Sequence, residues 1–129
     1  MAYVDIVTAL AVLQFIVFGF KVGGARGRYG VKAPAITGNE IFERYFRVQQ
    51  NTLEQLVAFL PGIYLFARYS NPLVAASLGV VYLIGREIYA YTYVKDPANR
   101  GVGYGVTFLP MIILVVGGLI GAARTLYRA

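Results

Sequence analysis

The sequence predicts an all-α integral membrane protein, a four-helix bundle, and three observations predict it. Hydrophobic residues make up 58% of the 129 and charged residues 14%, where soluble domains run at roughly 45–50% and about 25%. The apolar excess is gathered into long runs, and crossing about 30 Å of hydrocarbon takes roughly 20 helical residues. Four such segments use up most of the chain, leaving little for a separate soluble domain, so residues 1–129 read as one membrane domain.

Segment one is about Tyr3–Val22, broken only by Asp5, Thr8, Gln14 and Lys21. Its flank Met1–Asp5 has no Lys or Arg, unlike the charged start of a signal peptide, so the segment is expected to be retained. Segment two is about Phe46–Arg68. Its first half belongs to a polar run from Glu40 to Gln55, which passes without a break into Leu56–Ala67, a stretch with no charge and no amide. Segment three, about Pro72–Tyr93, is apolar up to Gly85 and then carries Arg86 and Glu87. Segment four, Val102–Ala123, has no charge. Pro61 and Pro110 fall inside these segments, which membrane helices tolerate. Gly79, Gly85, Gly117, Gly118 and Gly121 read as helix-packing positions.

Linker one, Gly23–Phe42, is rich in Gly and carries Arg26, Arg28 and Lys32. Linker two is Tyr69-Ser70-Asn71, short enough to make segments two and three a tight antiparallel hairpin. Linker three is Val94–Gly101. With four spans, Lys21, Arg26, Arg28, Lys32, Lys95 and Arg100 share one side of the membrane, and Arg68, Arg124 and Arg128 the other. That bias predicts linkers one and three in the cytoplasm and both termini outside.

The net charge of +6 reports topology and anionic headgroups. No basic run with interleaved aromatics points to nucleic acid. The chain has no Cys, His or Trp. A Cys nucleophile, a His base and a Cys/His metal site are therefore excluded. Chemistry must use Arg, Lys, Tyr, Asp, Glu, Ser or Thr, or a reactive group that the substrate brings.

Polar residues inside spans are costly in lipid and mark sites. Glu43, Arg47, Asn51 and Glu54 recur at helical spacing and share one face. Arg86, Tyr89 and Tyr93 do the same on segment three. A hairpin sets the polar start of segment two beside the polar end of segment three, next to linkers one and three with Arg26, Arg28 and Arg100. Guanidinium forks bind carboxylates bidentately, and Glu54 fits an ammonium group. Positive charge also lowers a thiol pKa from about 8.5 toward neutral. A chain without a thiol is thus equipped to ionise one carried by its substrate.

Blander readings stand beside this one. Arg68, Arg124 and Arg128 suit interfacial anchors, and Arg28, Lys32 and Lys95 suit headgroup contact. Glu43 and Arg47 suit a simple i,i+4 pair. Arg86 suits either a ligand or burial against an acid such as Glu54 or Asp5.

The runs Phe42-Glu43-Arg44 with Arg47-Val48-Gln49-Gln50-Asn51-Thr52-Leu53-Glu54, and Val81-Tyr82-Leu83-Ile84-Gly85-Arg86 with Tyr89, Tyr93 and Arg100, resemble the MAPEG family. That family holds microsomal glutathione S-transferases, leukotriene C synthases, prostaglandin E synthase and the lipoxygenase-activating protein. The resemblance covers nearly the whole chain and looks like that of a short bacterial member. It implies a homotrimer in the inner membrane (endoplasmic reticulum if eukaryotic), binding glutathione as co-substrate at each subunit interface, with no metal. Arg47, Asn51, Glu54, Tyr89 and Tyr93 would hold glutathione from one subunit, and Arg26 and Gln49 from its neighbour. Arg100 would stabilise the thiolate for attack on an apolar electrophile arriving from membrane lipid, or for reduction of a lipid hydroperoxide. Gln55 stands where leukotriene synthases have tyrosine, and Gly27 where they have a second arginine, which weighs against a leukotriene substrate. The rivals are a non-catalytic lipid-binding or partner-presenting protein on the same scaffold, and a small transporter. Charges gathered at one leaflet rather than the midplane disfavour the transporter.

Overall fold

In a computed structural model describing residues 1–128, the chain forms four long helices. They are α1 (Ala2–Tyr29), α2 (Glu40–Tyr69), α3 (Pro72–Lys95) and α4 (Gly101–Arg128), with a 3-10 turn at Pro97–Asn99 before α4. Among the described residues three helical stretches are long and apolar enough to cross a membrane: Ala2–Tyr29, Pro72–Lys95 and Pro97–Arg128. The 30-residue α2 falls outside that set because its first half is polar.

The helices overrun the apolar segments. Linker one was expected to begin at Gly23, yet α1 continues through Gly23, Gly24 and Gly27 to Tyr29. Helical glycine costs roughly 0.5–1 kcal/mol relative to alanine. Packing offsets that cost here: Val22, Ala25, Val31 and Phe42 form a small buried cluster. Arg26 and Arg28 lie in the last turn, where the helix dipole favours cations. Gly30, at φ 70°, closes the helix by donating its N–H to the Arg26 carbonyl. Helix α2 likewise starts before Phe46. Asn39 accepts from the Phe42 N–H at 3.0 Å, and Glu43 accepts from the Gly38 N–H at 3.3 Å.

Helices α2 and α3 form the middle of the bundle, with α1 packed against both from one side and α4 from the other. The expected hairpin joins α2 to α3, and Asn71 caps α3 by accepting from Leu73 and Val74 N–H groups at 2.8 and 3.1 Å. The main core draws Val4, Val7 and Ala11 from α1, Phe59 and Ile63 from α2, Tyr82 from α3 and Leu114 from α4. Phe59 and Tyr82 stack with ring centroids 3.8 Å apart. The outer surface keeps many large apolar side chains exposed, among them Phe20, Val57, Leu109 and Leu119. Lipid is the solvent that such a surface suits.

Glycines let α4 lie close on α3. A Cβ on Gly85 would sit 2.6 Å from the Thr107 nitrogen, and one on Gly103 would collide with the Tyr89 backbone. Arg44 ties the far end of α3 to α2 by donating to the Val94 and Lys95 carbonyls at 3.0 and 3.3 Å. Asp96 accepts from the Ala98 N–H at 3.1 Å and shapes the turn that delivers Arg100.

Candidate functional site

Where α2, α3 and the start of α4 meet, a cavity of about 340 Å³ is lined by Arg47, Asn51, Tyr89, Tyr93, Arg100 and Tyr104. Each residue gets there by helical spacing. Arg47 and Asn51 are one turn apart on α2, Tyr89 and Tyr93 on α3, and Arg100 and Tyr104 across the first turn of α4. The Tyr89 and Tyr93 rings stack at 5.4 Å. The lining carries two guanidinium groups, three phenols and a carboxamide, and no carboxylate.

Glu54 stands beside this lining. Its Oε1 lies 3.4 Å from Arg47 Nη2, and both side chains are about half exposed. Arg47 thus pairs with Glu54, two turns on, and not with Glu43, which is taken up in capping α2. A second ion pair, Arg44 to Glu40 at 2.8 Å and one turn apart, lies at the start of the same helix.

Beneath the cavity sits Arg86, with no exposed surface. The sequence left open a pairing with Glu54 or Asp5, and the structure makes neither. Asp5 accepts from the Tyr64 hydroxyl at 2.9 Å, at the other end of the bundle. Arg86 Nη1 instead donates to Asn51 Oδ1 at 2.8 Å, and the guanidinium lies 4.4 Å from the Tyr89 ring centroid. Its Nε and Nη2 have no partner among the described residues, nor has the buried Tyr82 hydroxyl. Since Arg86 occupies the Asn51 oxygen, the amide N–H₂ is the group that Asn51 has left for the cavity. A positive charge without an acid partner lies directly below.

Two expected residues do not reach the cavity of their own chain. Arg26 donates to the Ala35 carbonyl at 2.6 Å and lies 4.9 Å from the Phe42 ring centroid. Gln49 points at α1, where its Nε2 is 2.9 Å from the place a Cβ on Gly19 would take.

The model of the MAPEG family matches residues 4–120. The chain belongs to the MAPEG family. It is 52% identical over 115 residues to an uncharacterized protein of Synechocystis sp., covering 89% of this chain and 84% of that one. It is 34% identical over 119 residues to human microsomal glutathione S-transferase 2, covering 92% and 81%. A match to leukotriene C4 synthase of Cavia porcellus is 35% identical over 94 residues, covering 73% and 63%. Family and spans together make this an integral membrane protein.

Sequence reasoning missed Tyr104 as part of the lining, although its spacing of four from Arg100 was visible. It also missed the link from Arg86 to Asn51. No spacing rule pairs those two, because they belong to different helices and meet only through the α2–α3 packing.

Proposed function

We propose that this protein is a membrane glutathione transferase whose site is the cavity between α2, α3 and α4. The observation that carries the reading is the joint lining by Arg47, Asn51, Tyr89, Tyr93 and Arg100 in a chain with neither Cys nor His. The relatives named glutathione S-transferase and leukotriene C4 synthase support it.

Glutathione offers two carboxylates, an ammonium group, two amides and a thiol, and the cavity, with Glu54 at its edge, has partners for a carboxylate, the ammonium group and the thiolate. Arg47 takes a carboxylate, and Glu54, held at 3.4 Å by Arg47, takes the ammonium group. The Asn51 N–H₂ donates to a peptide or carboxylate oxygen. Tyr89 and Tyr93 supply an aromatic wall and hydroxyl donors. Arg100 meets the sulfur, and Arg86 adds a buried positive charge behind it. Both favour the thiolate, so the thiol pKa falls and its proton leaves to solvent. The sulfur lone pair then attacks an electrophilic carbon, forming the C–S bond as the leaving group departs with its electrons. No side chain of the protein becomes covalently bound. With a lipid hydroperoxide, the thiolate attacks the terminal peroxide oxygen and the O–O bond breaks, so the alkoxide leaves and takes a proton to become the alcohol. A second glutathione thiol then displaces water from the resulting sulfenic acid to give glutathione disulfide.

The protein works as a homotrimer in this reading. Arg26 and Gln49 lie off the cavity of their own chain and are the residues a neighbouring subunit contributes. The inner membrane of a bacterium is the proposed location, with all four helices spanning and the basic linkers in the cytoplasm. The whole chain, 1–129, is one such unit, and removal of apolar electrophiles is its proposed role.

Titration of the purified protein with glutathione, read by thiolate absorbance, tests the site. Turnover of an aryl halide tests the chemistry. Thiolate formation near neutral pH with product release is the expected result. Binding without a thiolate signal and without turnover would leave the non-catalytic, lipid-binding reading in possession. Cross-linked species in membranes should run as trimers; monomers alone would remove the in-trans role of Arg26 and Gln49.

A further inference from the structure

A second cavity, of about 390 Å³, lies on the other side of the α2–α3 pair, under α1. Phe18, Val48, Ala90 and Val94 wall it with hydrocarbon, and Lys21 of α1 and Lys95 of α3 line it with charge. Neither lysine has a carboxylate partner among the described residues. Lys21 instead stands 5.8 Å from the Phe18 ring centroid and Lys95 5.8 Å from that of Tyr91. The one acid in the lining, Glu87, already accepts from Gln14 Nε2 at 3.1 Å.

The cavity continues as a seam. On α1, Leu10, Gln14, Val17 and Lys21 form one stripe by helical spacing. On α3, Val80, Ile84, Glu87, Tyr91 and Lys95 form another. Gln14 holds the two stripes side by side, donating to the Leu83 carbonyl at 3.0 Å as well as to Glu87. Leu10, Val17, Val80 and Ile84 remain exposed. From Val80 to Lys95 the seam rises about 22 Å, more than the roughly 15 Å of one leaflet's hydrocarbon.

We propose that this seam is a binding site for one anionic glycerophospholipid. Its phosphate sits between Lys21 and Lys95, and one acyl chain runs down between α1 and α3 past Val17 and Ile84. Both parts are needed to fit the surface. A small soluble anion would satisfy the lysines and leave the seam uncovered, while a neutral lipid would cover the seam and leave two ammonium groups unpaired. Phosphate draws each lysine with a strength worth about fivefold in binding. The inference stands independently of the glutathione reading, because none of these residues lines the other cavity.

The test uses the full chain purified into mixed micelles of phosphatidylglycerol and phosphatidylcholine in equal amounts, with retained lipid counted by native mass spectrometry. Wild type should keep one phosphatidylglycerol per chain in preference to phosphatidylcholine. The double variant Lys21→Gln/Lys95→Gln should weaken phosphatidylglycerol binding about thirtyfold and lower its retention accordingly. The matched control Arg124→Gln/Arg128→Gln, which removes the same charge from exposed positions at the end of α4, should leave it unchanged. Equal loss in both variants would mean general charge attraction and overturn the site. Equal retention of phosphatidylcholine would overturn it too, as would retention of free fatty acid in place of phospholipid. Helical content measured by circular dichroism confirms that each variant is folded.

Discussion

The α2–α3 pair carries a cavity on each side, and the two differ in what they ask of a ligand. On the α4 side, Arg47 and Tyr89 face the space with Arg100 and Tyr104. On the α1 side, their immediate neighbours Val48 and Ala90 face it with Phe18. A helix turns about 100° per residue, so residues adjacent in sequence serve opposite sides of the pair. The partition between the two spaces is the buried cluster of Phe18, Val48, Tyr89 and Ala90. The lesson is one of charge placement. On the α4 side two cations have protein partners, the half-exposed Arg47 on Glu54 and the buried Arg86 on Asn51, while Arg100 stands exposed at the start of α4. The α1-side cavity has lysines on flexible stems at its mouth and hydrocarbon within. The first arrangement suits a polar molecule with several fixed charges, the second an amphiphile.

Substitutions can break or sharpen this contrast. The largest effect is expected from Arg100→Ala. Loss of an electrostatic donor at the reacting atom typically costs about 10²–10³ in rate, so aryl halide turnover at neutral pH should fall by that order. In the proposed reaction the guanidinium favours the ionised thiol. Its removal raises the bound thiol's pKa, and the pH–rate profile should move to the alkaline side. An unchanged profile would take Arg100 out of the reaction.

Arg86→Met comes next. It removes the charge below the cavity and leaves the Asn51 carbonyl oxygen without its buried donor, a loss of roughly 1–3 kcal/mol. Glutathione affinity should drop about tenfold or more by isothermal titration, while a lysine at the same position should restore part of it. Equal affinity in the Met variant would show that Asn51 needs no such anchor.

Gly103→Ala tests the approach of α4 to α3. Its Cβ collides with the Tyr89 backbone, and overpacking of this kind costs about 1–3 kcal/mol. Thermal unfolding in detergent should begin several degrees lower, and the cavity residues on α4 should shift away from those on α3. A Tm at or above that of wild type would mean that the helices part without cost.

The smallest effects are expected at exposed groups. Glu54→Gln breaks an ion pair whose partners are each about half exposed, so stability should change by less than about 1 kcal/mol. Glutathione binding should weaken while a glutathione analogue lacking the amine binds as before. Lys21→Gln, on the opposite side of the pair, should leave glutathione titration and turnover alone. A change there would show that the two cavities communicate through Phe18 and Tyr89.

Much of this architecture was legible from residue order. Long uncharged runs marked the apolar helices, and Ser70-Asn71-Pro72 marked the hairpin. The hairpin in turn placed Arg47 and Asn51 beside Tyr89 and Tyr93, because an antiparallel pair with a short turn has only one register. Helix ends were less legible. Glycines at 23, 24 and 27 argue against a helix locally, and the burial of Val22 and Ala25 against Phe42 overrides them. The fate of each charge was least legible. Glu43, Arg47 and Glu54 share a face, and spacing alone did not tell whether Glu43 pairs or caps.

The sequence by itself determined that this chain lives in lipid, that it folds as helices, and which faces of α2 and α3 are polar. Those properties depend on periodicity and on the free energy of burying each residue type, both of which are local. Only the tertiary structure decided that Arg86 binds Asn51, that Tyr104 joins the cavity, and that a second, lysine-rimmed seam opens under α1. Those contacts depend on which helix lies in which groove and at what height. That is set by the fit of glycines such as Gly85 and Gly103 against backbone on another helix, and no single stretch of residues encodes it.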